Sequence, residues 1–235
     1  MLQNPPSFIL MLGAPGAGKG TYSHLLSKDF RLNELSSGDE LRNIIKKNLP
    51  SPIPISDIKN TLQNGKLVSD TLALSIIFAK LSTNKYRNGA ILDGFPRTIT
   101  QAKYFESIHK INLIIKVDMD EEIIVRKMLG RRLCAFCGKG YNDCAIIEGD
   151  YYLPKILPVK KKGFCDKCGK SLKLIKRDDD NEDTIRNRIR LYKRMTKQVE
   201  EYYKERTYVF NPRKGLKDYY KLKNYVSNNL VGTSS

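Results

Sequence analysis

The most constraining feature of the sequence is a glycine-rich loop that lies between a short apolar strand and a helical segment. Residues 8–12 (FILML) are typical of a buried strand, and residues 13–21 (GAPGAGKGT) follow directly. Gly13, Gly18 and Lys19 meet the pattern G-x-x-x-x-G-K. Glycines let successive backbone N–H groups point at phosphate oxygens, while the helix N-terminus and the lysine add positive charge. The strand–loop–helix context favours a phosphate site on an α/β fold over a merely flexible turn.

The rest of the N-terminal half alternates short apolar strands with helical patterns. Further strands are expected to end near Ser36 and to cover residues 90–93 and 112–117. Helices are expected as far as Lys28 and at residues 38–47, 56–64, 70–82, 121–130 and 182–206. We also expect a loop at 49–54, a short strand and a last helix near the C-terminus, and a frayed tail at 231–235. Buried strands separated by helices indicate a parallel sheet that is covered on both faces.

The charge of the chain is strongly positive and unevenly distributed. Its 235 residues include 42 Lys+Arg and 25 Asp+Glu, which gives a formal net charge of +17. Residues 131–177 hold 12 Lys/Arg and 4 Asp/Glu, so +8 of that charge lies in one segment, which also contains all 5 cysteines. A basic chain can bind nucleic acid, anionic membranes or phosphate-rich small molecules, or can simply have a solvated surface. No apolar run approaches the roughly 20 residues of a membrane helix, and we expect a soluble, intracellular protein.

Four of the cysteines form two closely spaced pairs. Cys134-x-x-Cys137 and Cys165-x-x-Cys168 are each followed by glycine, and 27 residues separate the pairs. In a reducing compartment this pattern is typical of a structural zinc site with four thiolate ligands, rather than of unligated cysteines. Cys144 is the odd cysteine, and we expect it to be a free thiol.

The glycine-rich loop resembles the G-x-P-G-x-G-K-G-T loop of adenylate kinases, and three further segments match that family in order. These segments are residues 35–42 (LSSGDELR), 93–101 (DGFPRTITQ) and 177–180 (RDDD), the last followed by Arg188. The resemblance covers roughly residues 7–205. It implies a P-loop NTPase-like α/β fold with a five-stranded parallel sheet flanked by helices, an NMP-binding arm and an inserted lid.

The resemblance also implies how the chain is divided. The core would comprise residues 1–36, 69–130 and 178–235, the NMP-binding arm residues 37–68, and the lid residues 131–177. A structural zinc ion would hold the lid, because long-lid members of the family often carry this four-cysteine pattern. The two pairs are farther apart here than in relatives, and we expect the surplus segment 146–162 to loop out without disturbing them.

The implied reaction is transfer of the terminal phosphoryl group of a nucleoside triphosphate to AMP, with Mg²⁺ accompanying the nucleotide. The acceptor phosphate is already anionic, so the enzyme needs no general base; it must align the substrates, neutralise charge and exclude water. Guanidinium groups suit this task because they grip phosphate at two points. By resemblance, Arg42 and Arg97 would hold the monophosphate. The implied catalytic residues are Lys19, Arg97, Arg131, Arg177 and Arg188.

The resemblance assigns most of the site residues to one of the two nucleotides. The triphosphate would contact Gly13, Gly16, Ala17, Gly18, Lys19, Gly20, Thr21, Lys127, Arg131 and Tyr141. AMP would contact Ser37, Gly38, Arg42, Lys66, Val68, Gly94, Arg97, Gln101, Arg177 and Arg188. Gln101 would read the adenine edge, which requires both a donor and an acceptor.

The magnesium site is expected to differ from that of a generic phosphate loop. Gly20 follows Lys19 where a serine or threonine hydroxyl usually binds the metal, so phosphates and water must supply most of the ligands. Asp93, at the end of an apolar strand, is the expected carboxylate for those waters. The alternative is that Asp93 is a plain turn residue before Gly94.

The sequence leaves the phosphate donor open between GTP and ATP. Residues 36–39 (SSGD) resemble the mitochondrial GTP:AMP branch and favour GTP, whereas an ATP:AMP kinase is the alternative. Lys127 stands where relatives have an arginine that stacks on the donor base, and lysine lacks that planar surface. A base-reading turn near the C-terminus is not evident, although residues 211–215 (NPRKG) lie close to its expected place.

The expected partners are nucleotides alone, with no nucleic acid and no membrane, and the protein is expected to be a monomer. A zinc-knuckle nucleic-acid-binding protein is a remote alternative, since it leaves the phosphate loop and the ordered arginines unexplained. A GTP-specific enzyme would favour the mitochondrial matrix, and an ATP-specific one the cytoplasm.

Overall fold

The computed structural model describes residues 6–230, and its centre is a five-stranded parallel sheet. The tail predicted at 231–235 lies outside the described residues. The strands are, in chain order, β1 (Ser7–Leu12), β2 (Asn33–Ser36), β3 (Gly89–Asp93), β4 (Ile111–Val117), β5 (Arg131–Cys134), β6 (Gly140–Asn142), β7 (Ile146–Glu148), β8 (Tyr151–Leu153), β9 (Leu174–Ile175) and β10 (Thr207–Phe210). The central sheet has the order β10-β4-β1-β3-β2, which confirms the predicted fold class.

Helices connect the strands and flank the central sheet. Within the described residues they are α1 (Lys19–Phe30), α2 (Ser37–Lys47), α3 (Ile55–Gln63), α4 (Asp70–Leu81), α5 (Ile99–Glu106), α6 (Glu121–Leu129), α7 (Glu182–Leu191), α8 (Lys197–Tyr202) and α9 (Tyr219–Asn229). Over residues 6–230, none of these helices has the length and apolar character needed to cross a bilayer.

Strand β1 is buried on both faces of the sheet, which explains its continuous apolar sequence. Ile9 and Met11 pack in one hydrophobic cluster with α1 and α6, and the alternate residues of the strand pack in a second cluster with α4, α5 and α8. The strand pairs in parallel with both β3 and β4. Parallel pairing therefore brings the carboxyl ends of β1 and β3, with Gly13 and Asp93, to the same edge of the sheet.

The predicted arm is formed by α2 and α3, which pack against α4. One buried cluster ties the three helices together, and its members are Leu41, Ile44, Ile58, Leu72 and Ile76. The loop predicted at 49–54 is present between α2 and α3. The segment 37–68 therefore packs on α4 through a small cluster that it shares with that helix, beside the carboxyl end of β2.

Helix α5 is absent from the sequence-based prediction. It covers 8 residues, and its N-terminus is capped by Thr98, whose hydroxyl accepts a hydrogen bond from the Gln101 backbone N–H at 3.2 Å. Two turns carry too little apolar periodicity to stand out in a sequence. The cap residue, followed by a helical segment, is the signal that could have found it.

The continuous helix predicted at 182–206 is interrupted in the structure. Helix α7 ends at Leu191, a π-helical turn spans Tyr192–Thr196, and α8 begins at Lys197. The Lys197 backbone N–H donates to the Tyr192 carbonyl oxygen, so one extra residue is inserted into the turn. Apolar periodicity does not register this insertion, because the helical segments on either side each keep buried residues of their own.

The segment 131–177 lacks helices, as predicted, but it divides into two structures. Strands β6, β5 and β9 form a small antiparallel sheet beside the four paired cysteines, whereas β7 and β8 form a hairpin. Ile146, Tyr151 and Leu153 of this hairpin are buried in the same hydrophobic cluster as α1 and α6. The expectation that the surplus segment loops out is therefore wrong for the hairpin, because its apolar face completes the core.

Polar contacts also fix the hairpin to the core. The Tyr151 hydroxyl accepts a hydrogen bond from the Asp120 backbone N–H at 2.9 Å, and the Tyr152 N–H donates to the Arg213 carbonyl oxygen at 2.8 Å. The Arg213 guanidinium lies 4.4 Å from the centre of the Tyr151 ring and pairs with Asp120 at 3.2 Å and Asp150 at 3.4 Å. The hairpin thus joins the start of α6 to the loop that follows β10.

Neighbouring isoleucines on β7 offer a test of this packing. Ile146 is 0% exposed and Ile147 is 73% exposed. Ile146→Ala should lower the free energy of unfolding of the protein by about 2–5 kcal/mol, because it opens a cavity in the main core. The control Ile147→Ala should change it by less than about 0.5 kcal/mol. Equal, small effects in chemical denaturation would show that the hairpin is not part of the core.

Candidate active site

The loop Gly13–Thr21, called the phosphate loop from here on, depends on its glycines for steric reasons. Gly13, Gly16 and Gly18 have φ angles of 128°, 90° and 109°, which lie in the left-handed region. A methyl group on Gly13 would stand 2.2 Å from the Val117 carbonyl oxygen, and one on Gly16 would stand 2.4 Å from the Met128 side chain. Two other residues of this loop were predicted to contact the triphosphate. Ala17 is buried, and Thr21 is exposed on the first turn of α1.

Lys19 and Asp93 lie together at the phosphate loop. The Lys19 ammonium donates to the carbonyl oxygens of Gly13 at 2.8 Å and Ala14 at 3.0 Å. Burial lowers the pKa of Lys19 to about 8, and the Asp93 carboxylate opposes that shift. A methyl group on Gly20 would stand 3.4 Å from Asp93 Oδ2, so this carboxylate borders the loop where a hydroxyl ligand is missing.

A pocket between the arm and the sheet edge brings together seven of the ten residues predicted to contact AMP. Those seven are Ser37, Gly38, Lys66, Val68, Gly94, Arg97 and Gln101. Apolar side chains of α2, α3 and α4 complete the lining, and the Arg42 guanidinium lies beside Gly38. The pocket therefore combines an apolar wall, which suits a ring, with polar and cationic side chains.

Gln101 is held rigidly in this pocket. Its side chain is 3% exposed; Oε1 accepts from the Arg97 backbone N–H at 2.8 Å, and Nε2 donates to Asp70 Oδ1 at 2.8 Å. The Thr98 hydroxyl donates to the same carboxylate oxygen at 3.0 Å. These bonds leave one acceptor and one donor of the carboxamide free, which is the pair of groups that a base edge needs.

Three of the predicted catalytic arginines are gathered by two adjacent carboxylates. Arg131 Nε donates to Asp180 Oδ2 at 2.7 Å, and a second bond joins the same two side chains. Arg177 Nε donates to Asp179 Oδ1 at 2.7 Å, and Arg188 donates to Asp179 Oδ2 at 2.7 Å. The motif at 177–180 thus supplies both a cation and the anions that hold three cations in place.

The charge balance of this group favours an anionic ligand. Burial would raise the pKa of Asp179, but its bonds with Arg177 outweigh burial and lower it to about 2. Burial lowers the pKa of Arg188 to about 10, and repulsion from Arg177 and Arg131 adds to that shift. Burial also lowers the pKa of Arg97, whose Nε donates to the Gly94 carbonyl oxygen at 2.8 Å. Bound phosphate relieves such crowding of like charges.

The two remaining predictions for the triphosphate have different outcomes. Lys127 lies at the phosphate loop, since its Nζ would be 3.6 Å from a methyl group on Gly18, and burial lowers the pKa of Lys127 to about 8. Tyr141 instead faces the cysteines: its hydroxyl donates to Cys165 Sγ at 3.4 Å and accepts from the Asp166 N–H at 2.9 Å. The ring of Tyr141 is buried among the cysteines, and its contact with the triphosphate stays a prediction.

Comparison with known proteins decides the family. A sequence profile described as adenylate kinase matches residues 11–208. The chain belongs to the adenylate kinase family. It is 39% identical over 205 residues to the probable adenylate kinase 6, chloroplastic, of Arabidopsis thaliana, covering 84% of this chain and 66% of that relative. It is 38% identical over 202 residues to the GTP:AMP phosphotransferase of Plasmodium falciparum, covering 85% and 86%. The adenylate kinase of Clostridium tetani is 34% identical over 204 residues, covering 84% and 87%.

Family membership makes this protein a nucleoside monophosphate kinase, a phosphotransferase that uses Mg²⁺ with the nucleotide. When bound, the metal neutralises phosphate charge. The arrangement described above can supply what such a transfer needs: backbone N–H groups in the phosphate loop, positive charge from Lys19 and the arginines, and a pocket beside them. The Asp93 carboxylate lies beside Gly20, and its role toward water ligands of the metal stays a prediction.

The four paired cysteines fit a structural zinc ion. Thiolates at about 2.3 Å from a tetrahedral zinc lie roughly 3.8 Å apart. Here the four Sγ atoms lie within 4.8 Å of one another, with Cys134–Cys168 at 3.9 Å and Cys137–Cys165 at 3.6 Å. We call these four cysteines the sulfur cluster. Cys144 is not a member of it, and the Cys144 backbone N–H donates a hydrogen bond to Asn142 Oδ1 at 2.9 Å.

The residues that sequence reasoning missed are carboxylates that hold other groups. Asp179 and Asp180 belong to the motif at 177–180 that the sequence analysis identified. Their role in holding arginine side chains could not be predicted, because Arg131 lies far from them in sequence. Asp70 lies 31 residues from Gln101, and only the packing of α4 against α5 joins them.

Lys19→Met should reduce kcat by at least about 100-fold, because it removes a charge that stabilises the transferred phosphoryl group. The control Lys28→Met carries the same change on an exposed residue of α1 and should keep wild-type turnover. Steady-state kinetics with folding checked by circular dichroism would measure both. A Lys19→Met enzyme that retains more than about a tenth of the wild-type rate would contradict this assignment.

Metal analysis tests the sulfur cluster. Wild type and Cys144→Ser should each hold about one zinc per chain, and Cys165→Ser should hold much less. Chelation should loosen the small sheet β6-β5-β9, since metal supplies local stability where few apolar side chains are buried. A metal-free, fully active wild type with five titratable thiols would refute the site.

Proposed function

We propose that this enzyme transfers the terminal phosphoryl group of a nucleoside triphosphate to AMP, with GTP as the favoured donor and ATP as the alternative. The observation that carries the choice of AMP is the fixed carboxamide of Gln101. Adenine presents an acceptor and a donor side by side, and the free groups of this carboxamide complement them. The edges of cytosine and uracil also offer an acceptor and a donor side by side, so the choice of AMP rests in addition on the resemblance of residues 93–101 to the adenylate kinase motif.

The proposed acceptor site assigns roles along the pocket. The base lies against Gln101 and the apolar wall near Val68, while Ser37, Gly38 and Lys66 surround the sugar and base. Arg42 and Arg97 bind the monophosphate, because the Arg97 guanidinium lies on the Gly94 carbonyl oxygen just after β3 and the Arg42 guanidinium lies beside Gly38 just after β2. Arg177 and Arg188 complete the grip from α7 and the segment before it.

The proposed donor site places the triphosphate on the phosphate loop. Lys19 accompanies the group in transfer, and Arg131, Arg177 and Arg188 neutralise its charge. GTP is favoured because residues 36–39 resemble the GTP:AMP branch and a relative of 38% identity is named GTP:AMP phosphotransferase. Turnover measured side by side with GTP, ATP and ITP tests this choice; faster use of ATP than of GTP at equal concentration would overturn it.

The proposed moving parts follow from how the segments pack. The arm, residues 37–68, contacts α4 through a small cluster separate from the two clusters that flank the central sheet. The lid predicted at 131–177 is reduced here to the sheet β6-β5-β9 with the sulfur cluster, because the hairpin β7–β8 packs with the core. Closure of this smaller lid would bring Arg131 over the phosphates and exclude water.

The proposed partners are these nucleotides alone, and the proposed working form is a monomer without nucleic acid or membrane partners. A GTP-specific enzyme would favour the mitochondrial matrix, and an ATP-specific one the cytoplasm. The donor comparison therefore also guides the search for the compartment.

Gln101→Leu tests the acceptor. Loss of a buried amide that reads a base edge costs about 1–3 kcal/mol, so the KM for AMP should rise roughly 5- to 150-fold. The KM for the triphosphate should stay near wild type, because Gln101 lies in the acceptor pocket. The control Lys103→Leu changes an exposed residue of the same helix and should leave both constants unchanged. An unchanged KM for AMP in Gln101→Leu, or a wild-type preference for UMP or CMP, would contradict AMP as the acceptor.

A further inference from the structure

Helix α7, which carries Arg188, is followed directly by the π-helical turn Tyr192–Thr196. Such turns are rare and cost stability, and they are frequent at functional sites. Here the inserted residue changes the direction of the side chains that follow. Tyr192 and Thr196, at the two ends of the turn, contact different halves of the site.

Tyr192 contacts the start of the phosphate loop. Its hydroxyl donates a hydrogen bond to the Glu200 carboxylate on α8, and the nearby Gly13 backbone amide partly opposes the rise in the Tyr192 pKa that burial causes. Gly13 already abuts the Val117 carbonyl oxygen on its other side. The first residue of the phosphate loop therefore lies between the end of β4 and the π turn.

Glu200 extends this contact into a network of charges. Its carboxylate lies 3.2 Å from Lys116 Nζ, which also lies 3.6 Å from Asp118, and the Glu200 side chain is only 15% exposed. Lys116 belongs to β4 and precedes Val117. The Lys116 ammonium thus pairs with the carboxylates of both Glu200 and Asp118. This network links α8 to the end of β4, next to the phosphate loop.

Thr196 contacts the acceptor half of the site. It is 5% exposed, and its hydroxyl donates to the Arg97 carbonyl oxygen at 3.4 Å. The Arg97 backbone N–H in turn donates to Gln101. Arg188 lies on the same helix, one turn before Tyr192. Residues 188–196, which run from the end of α7 through the π turn, therefore include Arg188 as well as the residues that lie next to Gly13 and Arg97.

We propose that Tyr192, Thr196 and Glu200 are positioning residues, which set the distance and direction between the donor phosphate site and the acceptor phosphate site. Phosphoryl transfer requires the two substrates in line, and small misplacement of either one lowers the rate strongly. The π turn supplies one rigid body that both sites share. Loss of its contacts should impair alignment more than binding.

A charge effect distinguishes Glu200 from a purely structural residue. The charged groups that act on Lys19 are Asp93, Arg97, Arg188 and Glu200, and the two carboxylates raise its pKa against the effect of burial. The ammonium form of Lys19 is present below about pH 8 and is lost above it. Removing the Glu200 charge should move that loss to lower pH.

The test compares Tyr192→Phe and Glu200→Gln with two matched controls on α8, Tyr202→Phe and Glu201→Gln, whose side chains are 44% and 70% exposed. Tyr192→Phe and Glu200→Gln should each lower kcat by at least about 10-fold with little change in either KM. In Glu200→Gln, the alkaline limb of kcat/KM for the triphosphate should shift to lower pH. The controls should match wild type in every measurement, and the melting temperature of each variant shows whether it is folded at the assay temperature.

Wild-type kcat and pH profile in folded Glu200→Gln and Tyr192→Phe would overturn the proposal. So would a loss of kcat that disappears when each variant is assayed equally far below its own melting temperature. The positioning role rests on the proposed function, in which the phosphate loop and Arg97 bind phosphate. The Lys19→Met variant distinguishes failure of that proposed function from failure of the positioning role. An inactive Lys19→Met beside fully active Tyr192→Phe and Glu200→Gln refutes only the positioning role.

Discussion

Repulsion among closely spaced cations is the constraint on which the active site depends. Lys19, Arg42, Arg97, Arg131, Arg177 and Arg188 come from six places along the chain and converge at the carboxyl edge of one sheet. Burial and mutual repulsion lower the pKa of several of them. Asp179 and Asp180 offset part of that charge and fix three guanidinium groups. The remaining positive charge is best neutralised by phosphate groups, which is the condition for binding two nucleotides at once.

The fold distributes these cations over the central sheet and two smaller packing units. The parallel sheet carries the phosphate loop and Asp93, the segment of α2 and α3 carries Arg42, and the sheet β6-β5-β9 carries Arg131. The hairpin β7–β8 packs with the central sheet and its helices, although it lies in sequence within the predicted lid. The apolar face of this hairpin packs in the main hydrophobic core. The sequence of the 27 residues between the two cysteine pairs did not indicate that packing.

The sequence was sufficient for the sheet, the phosphate loop and the cysteine pairs, because each is encoded by neighbouring residues. The strand at 8–12 is uniformly apolar. Gly13 and Gly16 of the phosphate loop lie where a side chain would collide with neighbouring atoms. The Asp70–Gln101 bond, the gathering of arginines by Asp179 and the position of Tyr141 depend on tertiary packing. The π turn escaped prediction because buried residues continue on both sides of it. Longer-range contacts and single inserted residues leave no periodic signal.

We infer that this cationic site aligns two nucleotides for direct transfer. Steady-state formation of ADP by the wild-type protein, with AMP and a nucleoside triphosphate varied independently in the presence of Mg²⁺, tests this alignment. Product formation should saturate with each nucleotide and should require both. Triphosphate cleavage that proceeds at the same rate without AMP would contradict it.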